Sequence, residues 1–74
     1  MDYLKFYMDV VEWINQVNQM AMKHGMDSNE FWNWAAKTTG ELSDKYQNSK
    51  LVVKQMSMLY IWLEEIYEEG MLKK

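Results

Sequence analysis

The chain contains no cysteine, no proline and no arginine, and its only histidine is His24. Without cysteine it can form neither a disulfide nor a thiolate metal site, and a single imidazole excludes a histidine cluster. We therefore predict no metal site and no cofactor. A folded chain of this size hides only about 60% of the surface that its unfolded form exposes, and oligomerisation is the usual supplement where disulfides and metals are absent. We expect an oligomer.

These absences also exclude classes of partner. Arginine is the favoured reader of phosphates and guanine edges, so an arginine-free chain with a net charge of −3 predicts no nucleic-acid binding. There is no run of 18 apolar residues and no markedly basic helix face, which predicts no membrane partner. The first residues lack a basic stretch followed by an apolar block, so the expected location is the cytoplasm. No small-molecule substrate is indicated.

The sequence is rich in apolar residues, at 49% of the chain, and they recur with the periodicity of amphipathic helices. Residues 1–74 are predicted to form a single all-α domain, a small three-helix bundle with helices at about 2–24, 27–46 and 49–69. The outer two helices have similar lengths, and we expect them to lie antiparallel.

The helix ends follow from capping residues. Gly25 is expected to stop the first helix, since glycine accepts the positive φ common at helix C-termini. Asp27 is the predicted N-cap of the second helix, with Glu30 three residues later. The weak helix formers at 38–40 leave open whether the second helix is continuous through Gly40. Gly70 is the predicted stop of the third helix.

The third helix carries the widest apolar arc. Its apolar side chains cover roughly 220° of the helix circumference, more than one packing face requires. The apolar arc of the first helix is nearly as wide. The positions expected in the core of the third helix are Val52, Met56, Leu59, Leu63 and Ile66. For the first helix they are Tyr3, Phe6, Val10, Trp13, Ile14, Val17, Met20 and Ala21.

Charges on the third helix are placed against its macrodipole. Lys50 and Lys54 lie near the N-terminus, whereas four glutamates occupy 64–69 near the C-terminus. Each such charge costs a few tenths of a kcal/mol when exposed. A second helix of opposite charge order would offset this cost.

A seam on the same helix supplies the geometry for such a partner. It has 4-3-4-3-4 spacing, is symmetric about residue 59, and pairs lysines with glutamates in an antiparallel homodimer. The alternative interpretation is a solvated face with one exposed isoleucine. The candidate interface consists of Lys50, Lys54, Ser57, Ile61, Glu64 and Glu68.

Trp34 is the remaining candidate interface residue. It lies about 200° around the second helix from Trp32, so both indoles cannot face one core. Partly exposed tryptophans are enriched at binding hot spots. The alternative is that the Trp34 ring lies flat over the first helix.

Two acidic patterns suggest a different function. The stretch Glu64-Glu65-x-x-Glu68-Glu69 contains the form EExxE, and Glu41-Leu-Ser-Asp44 has the form ExxD. Together they resemble the motifs of the all-α nucleotide pyrophosphohydrolases, in which facing helices present such carboxylates to Mg²⁺. The resemblance implies, as an alternative, a Mg-dependent all-α hydrolase-like module. That family places EExxE before ExxD, and this chain reverses the order, so we assign no catalytic residue and no metal ligand.

We predict a small helical protein–protein interaction or regulatory protein without catalytic activity, which self-associates as a homodimer, binds another protein, or does both. Its size and lysine-only basicity are typical of small bacterial or phage-encoded factors.

Overall fold

Three helices joined by two short turns make up the structure, a computed structural model that describes the backbone of residues 2–72 and the side chains of residues 2–70. Helix α1 spans Tyr3–His24, α2 spans Asn29–Lys45 and α3 spans Lys50–Leu72. The predicted all-α, three-helix architecture is confirmed. Over the residues described, no helix combines the length and the apolar character needed to cross a membrane.

Helix α1 begins and ends where side-chain and backbone groups satisfy its termini. The Asp2 carboxylate accepts a hydrogen bond from the Lys5 backbone N–H at 3.0 Å. At the other end Gly25 has φ +80°, and its N–H donates to the Ala21 carbonyl at 2.9 Å. The predicted stop at Gly25 is confirmed.

The N-cap of α2 is Ser28, so the prediction of Asp27 is wrong by one residue. The Ser28 hydroxyl accepts a hydrogen bond from the Phe31 N–H at 3.2 Å and donates to the Gly25 carbonyl at 2.9 Å. It therefore ties the helix start to the preceding turn, which Asp27 does not do.

Helix α2 is continuous through Gly40. The hydroxyls of Thr38 and Thr39 donate to the carbonyls of Trp34 and Ala36, both at 2.9 Å. These bonds stay within the helix, so the two threonines do not draw the backbone into a turn.

Helix α3 follows a turn in which Gln47 and Asn48 have φ +58° and +56°. The Asn48 N–H returns to the Ser43 carbonyl at 2.7 Å, closing the end of α2. The prediction that α3 stops at Gly70 is wrong, because the helix continues to Leu72. Glycine weakens a helix by only about 1 kcal/mol relative to alanine, which does not by itself end one.

Helix α2 packs against both of its neighbours and runs opposite to each. Asp9 near the start of α1 contacts Tyr46 just after α2, and Trp32 near the start of α2 contacts Tyr67 near the end of α3. Helices α1 and α3 therefore run in the same direction, and the predicted antiparallel arrangement of the outer pair is wrong. The core contains Phe6, Val10, Trp13, Val17, Phe31, Ala35, Val52, Met56 and Leu63.

Candidate interaction surface

The predicted seam on α3 is exposed along its whole length. Ile61, at its centre, keeps 54% of its surface accessible. A homodimer interface and a solvated face both require this exposure, so the interface remains a prediction. The exposed side chains of the seam are Lys50, Lys54, Ser57, Ile61, Glu64 and Glu68.

Two grooves border the seam. One, of about 440 Å³, lies between α2 and α3, and the other, of about 690 Å³, runs along the outer side of α3. Ser57 and Ile61 line both grooves, so they form the ridge between them. A ridge with a groove on each side is the surface relief into which another helix can interlock.

The α2 wall of the inner groove is built from small side chains. Ala36, Thr39, Gly40 and Ser43 line it. A Cβ placed at Gly40 would have no heavy atom within 4 Å. The inner groove is therefore open at the middle of α2.

The outer side of α3 exposes more apolar side chains than the predicted core positions implied. Ile66, expected in the core, is 37% exposed, and Met58 and Trp62 are 54% and 40% exposed. The cause is the position of two tyrosines: Tyr60 and Tyr67 pack edge-on against Trp32 of α2, at centroid distances of 5.6 and 5.9 Å. They occupy the sheltered flank of α3 and leave Ile66 facing outward. The wide apolar arc of the third helix was the feature of the sequence that indicated exposed apolar residues on this side.

Trp34 packs against the core, as Trp32 does, so the expectation that the two indoles cannot both face one core is wrong. Its ring stacks on Trp13 of α1 at a centroid distance of 6.0 Å and an interplanar angle of 8°. The Trp13 indole N–H in turn donates to the Thr38 hydroxyl at 2.7 Å. This is the flat packing over the first helix that the alternative interpretation described. Trp34 is only partly buried, and its role in an interface stays a prediction.

A second exposed apolar cluster, which the sequence reasoning missed, covers the first half of α1. Leu4 is 73% exposed, Met8 63% and Val11 60%. Their i, i+4, i+7 spacing places them on one stripe, and this spacing could have revealed them. Tyr3, expected in the core face, is 62% exposed and extends the cluster with Tyr7.

One polar cluster joins α1 to the end of α2. The Tyr46 hydroxyl donates to the Asp9 carboxylate at 2.5 Å, and the Lys45 ammonium lies 2.9 Å from the same oxygen. These two hydrogen bonds hold the pKa of Asp9 below its usual 3.8. Burial, together with the neighbouring carboxylate, raises the pKa of Tyr46 to about 12. The cluster fixes the relative position of two helices.

The carboxylates of the two acidic motifs are exposed. Glu41 and Asp44 lie on α2, and Glu64 and Glu68 lie on α3. Over the described residues, no three side chains of His, Cys, Asp or Glu lie together as a group that could hold a metal ion. The hydrolase alternative gains no supporting observation.

No protein-family model, curated protein or solved structure matches the chain, so a functional proposal depends on the exposed apolar surfaces of α1 and α3.

Proposed function

We propose that this chain is a small helical protein–protein interaction or regulatory protein, that it acts by binding and not by catalysis, and that it self-associates in the cytoplasm. The observation that carries the proposal is the amount of apolar side-chain surface left exposed on two of its three helices. The exposed large apolar side chains are Tyr3, Leu4, Tyr7, Met8, Val11, Met22, Val53, Met58, Ile61, Trp62 and Ile66.

Single exposed apolar residues are ordinary on any protein, but contiguous apolar patches mark binding surfaces. Here the exposed residues form a stripe on α1 and a continuous outer side of α3.

Burial of these stripes by a partner would offset the small size of the core. Complete burial of a large apolar side chain contributes about 1.5–3 kcal/mol, and these side chains, which are already partly buried, would each contribute a part of that. The proposed partners are another copy of the chain, a second protein, or both. We propose protein partners because an acidic chain without arginine is poorly suited to bind nucleic acid.

Affinity capture with quantitative mass spectrometry tests the function. The tagged chain is expressed in the cells that produce it, alongside three variants: Met8→Glu on the α1 stripe, Met58→Glu on the outer side of α3, and Gln19→Glu as a control. The control adds the same charge at an exposed polar position of α1.

We expect Met8→Glu or Met58→Glu to deplete captured proteins, including untagged copies of the chain, while Gln19→Glu retains them. Identical capture by all four proteins, with circular dichroism showing that each is folded, would contradict the proposal. Recovery of the tagged chain alone would contradict it as well. Fractionation of the same cells tests the cytoplasmic location.

A further inference from the structure

The outer groove of α3 has an apolar centre and oppositely charged ends. Met58, Ile61 and Trp62 line its middle. Lys54 lines it toward the start of the helix, and Glu65 lines it toward the end. This face points away from α1 and α2, because the buried residues of α3 lie on its other side. Another helix can therefore approach it without obstruction from the described parts of α1 and α2.

The lining residues are arranged symmetrically along the helix. Lys54, Met58, Ile61 and Glu65 have 4-3-4 spacing, and the midpoint of the series lies between Leu59 and Tyr60. A second α3 laid antiparallel about this midpoint brings Lys54 of each copy to Glu65 of the other. It also brings Met58 of each copy to Ile61 of the other. The surface is thus complementary to itself, as a two-fold interface requires.

The ends of the helix extend the complementarity. Lys50 and Glu69 have the same midpoint. Within Lys50–Leu72, the part of α3 that the structure describes, the first turn contains no acidic residue and the last turn no basic one. Lys50 at the first end and Glu69 at the second therefore oppose the helix macrodipole. An antiparallel second copy places its lysine-bearing N-terminus beside the glutamates. Both the side-chain charges and the two macrodipoles are then offset.

This arrangement differs from the seam predicted by sequence. The sequence seam has its midpoint at residue 59 and sets Ile61 against Ser57. The arrangement about the midpoint of 59 and 60 sets Ile61 against Met58 and encloses Trp62. At its centre it buries Met58 and Ile61 of both copies, four apolar side chains in all. The sequence seam buries only the two copies of Ile61, so it gains less free energy from apolar burial.

We propose that the occupant of the outer groove is a second copy of this chain, whose α3 packs antiparallel with Lys54 against Glu65 and Met58 against Ile61. The proposal rests on the proposed function and gives its self-association a defined interface.

Charge exchange measured by sedimentation tests the interface. The proteins are wild type, Lys54→Glu, Glu65→Lys, and the double variant that carries both changes. Within one chain these positions are eleven residues, or about 16 Å, apart along the helix, so they do not contact each other. Restoration that exceeds that of a double variant with the same net charge therefore reports contact between copies.

Each single variant should weaken dimerisation about tenfold at low salt, because two exposed ion pairs per dimer become like-charged pairs. The double variant should recover the wild-type dissociation constant, and raised salt should reduce the differences. A control double variant, Lys54→Glu with Glu64→Lys, should recover less, since Glu64 belongs to the other register.

A double variant as weak as the single variants would overturn this interface, and so would full recovery by the Glu64 control. A wild-type chain that sediments as a monomer up to millimolar concentration would overturn it too. Either result with the double variants leaves the proposed function in place if the capture experiment still finds partners that depend on Met8, whereas a monomeric wild type would remove its self-association and leave only the binding of another protein. Failure of both experiments would remove the proposed function itself.

Discussion

Replacing Gly40 with alanine should stabilise the protein, although the residue borders a groove in the middle of α2. A Cβ at this position meets no heavy atom within 4 Å, so the added methyl group displaces nothing. Glycine in a helix interior costs about 0.8–1.0 kcal/mol relative to alanine, because its unfolded backbone has more freedom to lose. We predict a gain of about 1 kcal/mol in the free energy of unfolding and a Tm higher by about 4–8 °C.

The same substitution at Gly25 should have the opposite sign. This residue has φ +80° and ψ 146°, a region that essentially only glycine occupies, at a cost of about 1–3 kcal/mol for other residues. A Cβ would also lie 2.8 Å from the Asp27 carboxylate. That side chain is exposed and can rotate away, so the backbone strain sets the loss.

Urea unfolding, followed by tryptophan fluorescence and by far-ultraviolet circular dichroism, measures both changes. Protein concentration must be held constant, since self-association alters apparent stability. A Gly40→Ala protein that is less stable than wild type, with an unchanged m-value, would refute the reasoning. It would mean that something covers the groove beside α2.

Three further perturbations test the packing. Thr38→Val removes the acceptor of the buried Trp13 indole N–H and should lower the free energy of unfolding by about 1–3 kcal/mol in urea. Leu63→Ala empties a fully buried position and should cost about 2–5 kcal/mol by thermal unfolding. In an ultraviolet titration Tyr46 should ionise at about pH 12, and Asp9→Asn should return its pKa toward 10.0. The raised pKa of Tyr46 stabilises the folded state fully below pH 10, and this stabilisation is lost as the pH rises through 12. The lowered pKa of Asp9 stabilises the folded state fully above pH 3.8, and this stabilisation is lost as the pH falls through the pKa that Asp9 has in the folded state.

Matched controls separate these effects from general damage. Thr39→Val removes a hydroxyl that bonds only within α2 in an exposed setting, and should change stability by less than about 0.5 kcal/mol. Ile66→Ala truncates a side chain that is 37% exposed, and should cost less than Leu63→Ala. If each control equals its partner, the assignments of burial are wrong. A Tyr46 that ionises near pH 10 in the wild-type protein would count against its contact with Asp9.

Periodicity alone was sufficient to locate the helices, but not the rotation of α3. Val52, Met56 and Leu63 are buried as the apolar spacing predicted, whereas Ile66 is not. The arc on α3 is so wide that several rotations bury a similar apolar area. Packing of Tyr60 and Tyr67 against Trp32 of α2 selects one of these rotations. Such contacts between helices cannot be read from the local sequence.

Capping and the candidate surface show the same limit. Asp27 and Ser28 are both good N-cap residues. The structure distinguishes them, because the Ser28 hydroxyl accepts from the Phe31 N–H and donates to the Gly25 carbonyl. The charge order of α3 was readable from sequence, because it depends on position along one helix. The choice between Ser57 and Met58 as the contact of Ile61 depends on which direction the helix faces, so it needed the structure.

Helix α2 contacts both α1 and α3, and each of these contacts joins elements that are consecutive in the chain. Little of the packing has to wait for the closure of a long loop. Helical domains with such local contacts fold in microseconds to milliseconds, so temperature-jump experiments are the suitable kinetic method for this protein. Any slower phase that depends on concentration would then report the encounter of two copies, because the chain has neither proline nor disulfide to delay folding.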